Sequence, residues 1–88
     1  MTSLQNDIIG IWYNEKSGMT IQFQQNGKGV SAAGKSLLHG IEFIYKWVSS
    51  NQIQLEMQGM SFQYTITHNI DVLTIEDEHG VRLHQRVA

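Results

Sequence analysis

The 88-residue sequence contains no cysteine. That excludes a disulfide framework, a thiolate metal site, a cysteine nucleophile and a lipid-modified cysteine anchor. Charge is also sparse: charged residues make up 16% of the chain, with six Lys and Arg against eight Asp and Glu, for a net charge of -2. A surface that follows a nucleic-acid backbone needs a positive groove, so nucleic acid is not an expected partner. No apolar run approaches the roughly 18 residues of a membrane-spanning helix, and no membrane partner is expected either. The opening "MTSLQNDIIG" has neither the basic start nor the long apolar stretch of a secretory signal. For a chain that begins at Met1, the expected location is cytoplasmic.

What is present points to β-structure. Hydrophobic residues make up 41% of the chain, enough for one modest core in a domain that buries about 60% of its unfolded surface. They recur with a period of two, the signature of a strand with one face buried. Met19, Ile21 and Phe23 alternate with Thr20, Gln22 and Gln24; Ile53, Leu55 and Met57 with Gln54, Glu56 and Gln58; Phe62, Tyr64 and Ile66 with Gln63, Thr65 and Thr67. Phe43, Tyr45 and Trp47 share one side of a fourth run, Ile41 to Val48. Ile8 to Tyr13, Gly29 to Ala32, Asp71 to Glu76 and Val81 to Val87 complete a set of eight. On the last of these Arg82, His84 and Arg86 share one parity, read as the solvent face.

Turn signals separate the runs: Ser17-Gly18, Asn26-Gly27, Ser49-Ser50-Asn51, Gly59, His68-Asn69 and Glu78-His79-Gly80. Asn-Gly between strands favours a type I′ hairpin, in which both central residues take positive φ. Short strands joined by short turns predict an all-β antiparallel meander, a single domain over residues 1–88 that forms a small barrel or an open half-barrel. Strands of about six residues span only about 20 Å, so a filled small barrel or an open half-barrel is expected rather than a roomy cup. An open form would leave two edges through which a homodimer could pair.

The segment "GVSAAGKS", Gly29 to Ser36, matches the phosphate-loop pattern G-x-x-x-x-G-K-[ST] in full. That motif acts by leading a buried strand into a helix whose N-terminus holds phosphate. Four residues separate Ser36 from the strand at Ile41, too few for that helix. Gly29 and Gly34 therefore read as turn residues, Lys35 as a solvated side chain, and no nucleotide or other cofactor is expected.

The segment "IIGIWYNE" places Gly10 and Trp12 in a G-x-W sequence on the first strand. It is followed by the hairpin "FQQNGKG", the aromatic strand "FIYKWV", the strands "IQLEM" and "FQYTI", the acidic turn "EDEHG" and the closing "VRLHQRVA". From Ile8 to Arg86 the order resembles that of small bacterial lipocalin-like domains of the calycin group. The resemblance implies a barrel closed at one end by Trp12, with Arg86 of the last strand packed across the indole in a cation–π contact. Given the parity of Arg86, this requires a bulge or a twist at the end of the last strand.

Phe43, Tyr45 and Trp47, with Phe62 and Tyr64, either fill the core or line a pocket for an apolar ligand. Stacking on bases is disfavoured by the charge balance. His39, His68, His79 and His84 fall in turns or on the polar strand face, in no recognised metal-ligand spacing, and no nucleophile elbow appears. A metal site and catalysis are not expected. Asp71, Glu76, Asp77 and Glu78 fall within eight positions and form either a solvated loop or a docking patch for a basic protein. The leading expectation is therefore a non-catalytic cytoplasmic inhibitor, resembling an immunity-type protein, that covers the active surface of a partner such as a basic toxin. The alternative, implied by the lipocalin resemblance, is a carrier of a small hydrophobic ligand.

Overall fold

A computed structural model describes residues 4–87 of the chain. A single helical turn, α1 (Leu4–Asp7), leads into eight strands. These are β1 (Gly10–Asn14), β2 (Met19–Phe23), β3 (Lys28–Ala33), β4 (Ile41–Trp47), β5 (Gln52–Met57), β6 (Met60–Asn69), β7 (Val72–Asp77) and β8 (Gly80–Arg86). Each strand pairs antiparallel with the next, and β8 pairs with β1, so the meander closes into a barrel. This architecture is compatible with the lipocalin-like resemblance. The open half-barrel is thereby corrected. Closure also removes, among the described residues, the two free edge strands on which edge-to-edge homodimerisation would rely.

The seam between β1 and β8 is short, pairing Trp12 with Arg86 and Tyr13 with Gln85, and the Val87 amide extends it by donating to the Ile11 carbonyl at 2.8 Å. One cluster of side chains reinforces it. Trp12 and Ile8 are fully buried, and the indole N–H donates to the Ile8 carbonyl at 2.9 Å. The Arg86 guanidinium lies 4.3 Å from the centre of the Trp12 ring and donates to the Asp7 carbonyl at 2.9 Å. His68 meets the same indole edge-on at 5.7 Å. α1 and the residues after it are thus tied across one end of the barrel by partners from β1, β6 and β8.

No bulge is needed to bring Arg86 there, because the parity of β8 runs opposite to the sequence reading. Arg82, His84 and Arg86 face inward, and Val81, Leu83 and Val87 face solvent. The reason is register. The Glu78-His79 turn sets Asp77 opposite Gly80, which places Arg82 opposite Ile75 and His84 opposite Leu73. Directly opposed residues of an antiparallel pair share a face, and Ile75 and Leu73 are core.

Three turn assignments change. At Asn26-Gly27 only Gly27 takes positive φ, and its amide bonds back to the Gln24 carbonyl, so the loop is a type I turn followed by a left-handed glycine. Gln58-Gly59 has both residues at positive φ and is the true primed hairpin. His68 and Asn69 belong to β6, and the turn falls on Ile70-Asp71, with Ile70 at φ 52°.

Gly29 is not a turn residue either. It lies in β3 under the Phe43 ring, where a Cβ would come within 2.3 Å of the ring and of the Gln22 carbonyl. The segment from Gly34 to Gly40 contains no helix and folds back over the outer face of β1 to β3. The Gly34 amide donates to the Gly18 carbonyl, Gly40 packs on Val30 and Ala32, and Thr20 donates to the Gly34 carbonyl. Lys35 is exposed, with its ammonium 5.0 Å from the centre of the Tyr13 ring.

Replacing Trp12 with alanine removes the largest side chain of the closed end and is expected to cost about 3–5 kcal/mol. Arg86→Ala is expected to cost about 1 kcal/mol through the lost cation–π contact. Urea unfolding of the two variants measures both, and a Trp12→Ala protein as stable as the parent would show that this cluster does not hold the barrel together.

Candidate functional site

The strands deliver their inward side chains unevenly along the barrel axis. At the Trp12 end the interior is packed by Ile8, Trp12, Ile66 and Leu73, all at most 1% exposed. Phe23, Phe43 and Tyr45 form an edge-to-face aromatic cluster under the β2–β3 hairpin, with Phe23 and Tyr45 ring centres 5.1 Å apart. Toward the opposite end the inward positions carry smaller or more peripheral groups, such as Ser31, Met19 and Met57, and the interior opens. A cavity of about 930 Å³ results, with Phe23, Phe43, Ile53 and His84 deep within it and Met19, Met57, Phe62 and Glu78 toward its mouth. The expectation of a filled barrel is corrected: one half is filled and the other is a cup.

The mouth widens on one side for a topological reason. β6 pairs with β7 only from Thr65 onward, so Met60 to Tyr64 pair with β5 alone. The β5–β6 hairpin therefore stands away from the β7–β8 turn. In this gap Phe62 and Tyr64 stack with ring centres 6.2 Å apart, and the Arg82 guanidinium lies 5.7 Å from the Tyr64 ring. Arg82 also donates to the Asp77 carboxylate at 2.7 Å.

The residues singled out from the sequence divide accordingly. Phe43, Phe62 and Tyr64 line the cavity. Tyr45 lies behind the wall, its hydroxyl donating to the Gln24 carbonyl at 2.6 Å, and Trp47 packs against the core without reaching the cavity. Asp77 and Glu78 stand at the mouth, Glu76 borders it from the outer face opposite Val81, and Asp71 sits at the opposite end beside Arg86, 4.0 Å from its Nε. Asp71 precedes β7 while Glu76 and Asp77 end it, about 17 Å or more along the strand, so the four acids do not form one patch. Gly10 and Trp12 belong to the closed end, as does Arg86.

Two residues of the cup, Arg82 and His84, were assigned to solvent by their parity. His84 is 6% exposed, and its Nδ1 is buried without a hydrogen-bond partner. Burial, and secondarily the Arg82 charge, hold this imidazole below the usual histidine range; the Arg82 backbone is near enough to oppose this weakly but completes no hydrogen bond. His68 also departs from the turn position expected of it, being inward-facing on β6. The hydrogen bond from Arg82, assisted by the His79 amide, lowers the Asp77 carboxyl. Burial raises the Tyr64 phenol, partly offset by Arg82. Among the described residues no three His, Asp or Glu side chains converge on a point where a metal ion could sit. Comparison with protein-family models, curated proteins and solved structures found no match for the chain.

The depressed His84 has a defined pH signature. The unfolded chain takes up a proton near pH 6.5, while the folded protein resists it, so the unfolded state binds more protons as pH falls. This contribution to stability is complete above about pH 6.5 and is lost progressively below it. Thermal melts between pH 7.5 and 5 are expected to show a decline that is shallower in His84→Gln; an unchanged slope in that variant would place His84 in solvent.

Proposed function

We propose that this protein is a non-catalytic, lipocalin-like carrier that binds one small, largely apolar ligand in the open half of its barrel. The cavity carries the reading. Ligand sites typically measure about 300–1,000 Å³, with apolar and aromatic walls and a few convergent polar groups; this one measures about 930 Å³, with Phe43, Leu55, Phe62 and Ile75 among its walls and Arg82 and His84 among its polar groups. An eight-stranded barrel is just wide enough either to fill itself or to hold one small molecule. Packing at the Trp12 end leaves the second option to the other end.

Inhibition of a partner protein is a second reading, and one observation favours it. Val81 and Leu83 on β8, and Val87 just past its end, face outward, each more than half exposed, and exposed apolar patches are common at protein interfaces. Its architectural support is weaker than the sequence implied, because the barrel encloses a cavity as well as offering sheet faces.

The two readings separate on one substitution. Met57 lines the cavity near its mouth, so Met57→Trp places a bulky ring across the entrance and leaves the outer face untouched. Nile red, a neutral apolar dye, is expected to bind the parent with micromolar affinity and strong fluorescence, and to bind Met57→Trp at least tenfold more weakly at a similar melting temperature. Equal binding to both proteins would remove the cup as the ligand site.

A further inference from the structure

The inner end of the cup carries a polar side chain that the fold leaves uncommitted. His84 is 6% exposed and lines the cavity at its deep end, with Phe23, Phe43 and Ile53. Its Nδ1 is closed off from solvent without a hydrogen-bond partner. With Nδ1 sealed away and the ring in the cavity wall, Nε2 is the nitrogen that a bound molecule can reach. Buried polar groups are seldom left unpaired in a native structure. His68 also has a buried unpaired nitrogen, but it meets Trp12 edge-on at the plugged end, outside the cavity lining. Of the two, only His84 borders space that a ligand can fill.

The surroundings decide the charge of the group that would pair with it. Arg82 is the only lysine or arginine among the described lining residues, and Asp77 already holds it at 2.7 Å. No free cation there receives a carboxylate. The lining carboxylates belong to the end of β7 and the turn after it, at the mouth, so none receives an ammonium group at the inner end either. An ion buried without a partner is costly, and a neutral head group follows. Asn14, buried on β1 and also lining the cavity, has its side-chain oxygen taken by the Lys16 and Ser17 amides, which leaves its amide nitrogen as a neutral donor. Burial holds the His84 imidazole below the usual histidine range, so it is neutral at pH 7.5. A neutral imidazole has one N–H and one lone-pair nitrogen. A hydroxyl both donates and accepts, and therefore pairs with Nε2 in either tautomer.

We infer that the cup takes a neutral apolar molecule bearing a hydroxyl, an alcohol or a phenol, which enters hydroxyl-first and places that group on His84, with its apolar body among Phe43, Leu55 and Ile75. This inference rests on the carrier reading above. Transfer from water alone favours a hydrocarbon over the corresponding alcohol. A neutral hydrogen bond changes an equilibrium by a net factor of about 2 to 10, so the hydroxyl is expected to improve binding about fivefold over a hydrocarbon of the same shape.

The test is displacement of Nile red at pH 7.5 by para-butylphenol, butylbenzene and para-butylbenzoate, which share one apolar body and differ in the head group. The parent protein is expected to release dye to butylphenol at a concentration about fivefold lower than to butylbenzene, with butylbenzoate the weakest of the three. In His84→Leu, which puts an apolar side chain of similar size in the wall, the preference for the phenol is expected to vanish. Nitrogen NMR of the imidazoles reads the site in the parent itself: butylphenol is expected to shift the His84 nitrogens and to leave those of His68 in place. Butylbenzene displacing the dye as well as butylphenol, or butylbenzoate displacing it better, would overturn the hydroxyl assignment while leaving the carrier reading intact. A preference that persists in His84→Leu, or His84 nitrogens that stay in place when the phenol binds, would overturn the role of His84. Failure of the parent to bind Nile red at all would bring down the carrier reading and this inference together.

Discussion

The packing of Trp12 organises the rest of this molecule. With eight strands the circumference of a barrel, and so the volume inside it, is largely fixed. Strands of five to seven residues, the longer β6 aside, supply only two to four inward side chains each, too few large ones to fill that volume evenly. Trp12, Ile8, Leu73 and Ile66 concentrate at one end, where Arg86 lies on the indole and α1 is tied across the opening. A short seam of two paired positions between β1 and β8 would be a weak closure alone. It holds because the cation–π contact, the indole hydrogen bond and the anchoring of Arg86 to the Asp7 carbonyl converge on the same place. The emptiness of the other half is the complement of that concentration.

Much of the fold was legible because the physics behind it is local. Period-two alternation marks a strand with one buried face whatever its neighbours are, and each of the eight expected runs overlaps a strand. The phosphate-loop match was expected to lack its helix because only four residues separate Ser36 from Ile41. The missing helix is indeed absent, and Gly34 to Gly40 instead braces the outside of the β1–β2 hairpin. The resemblance to lipocalin-like domains identified the Trp12–Arg86 contact, which pairs residues too far apart in sequence for local reasoning to connect.

The cup was harder to read, and β8 shows why. Parity was assigned there from polarity, on the premise that Arg82 and His84 belong in water and Val81 and Leu83 in the core. The tight β7–β8 turn overrides that premise, since the pairing of Asp77 with Gly80 fixes every later residue. Counting back from the turn, with Leu73 and Ile75 facing inward, would have placed His84 and Arg82 inside. A polar inward face on one strand is itself the signal that the interior is not simply a core. Cavity volume left no such trace, because it depends on how the inward side chains distribute along the barrel axis, a property of register and strand stagger. For the same reason the acidic cluster, contiguous in sequence, divides between the two ends of β7.

The central claim is that one half of the barrel is plugged and the other is a ligand cup. Methyl NMR of the labelled protein titrated with Nile red tests it most directly. The account predicts shifts at Leu55, Met57 and Ile75, with Ile8 and Leu73 beside Trp12 unmoved. Shifts confined to Val81, Leu83 and Val87 on the outer face, with the interior methyls silent, would contradict it.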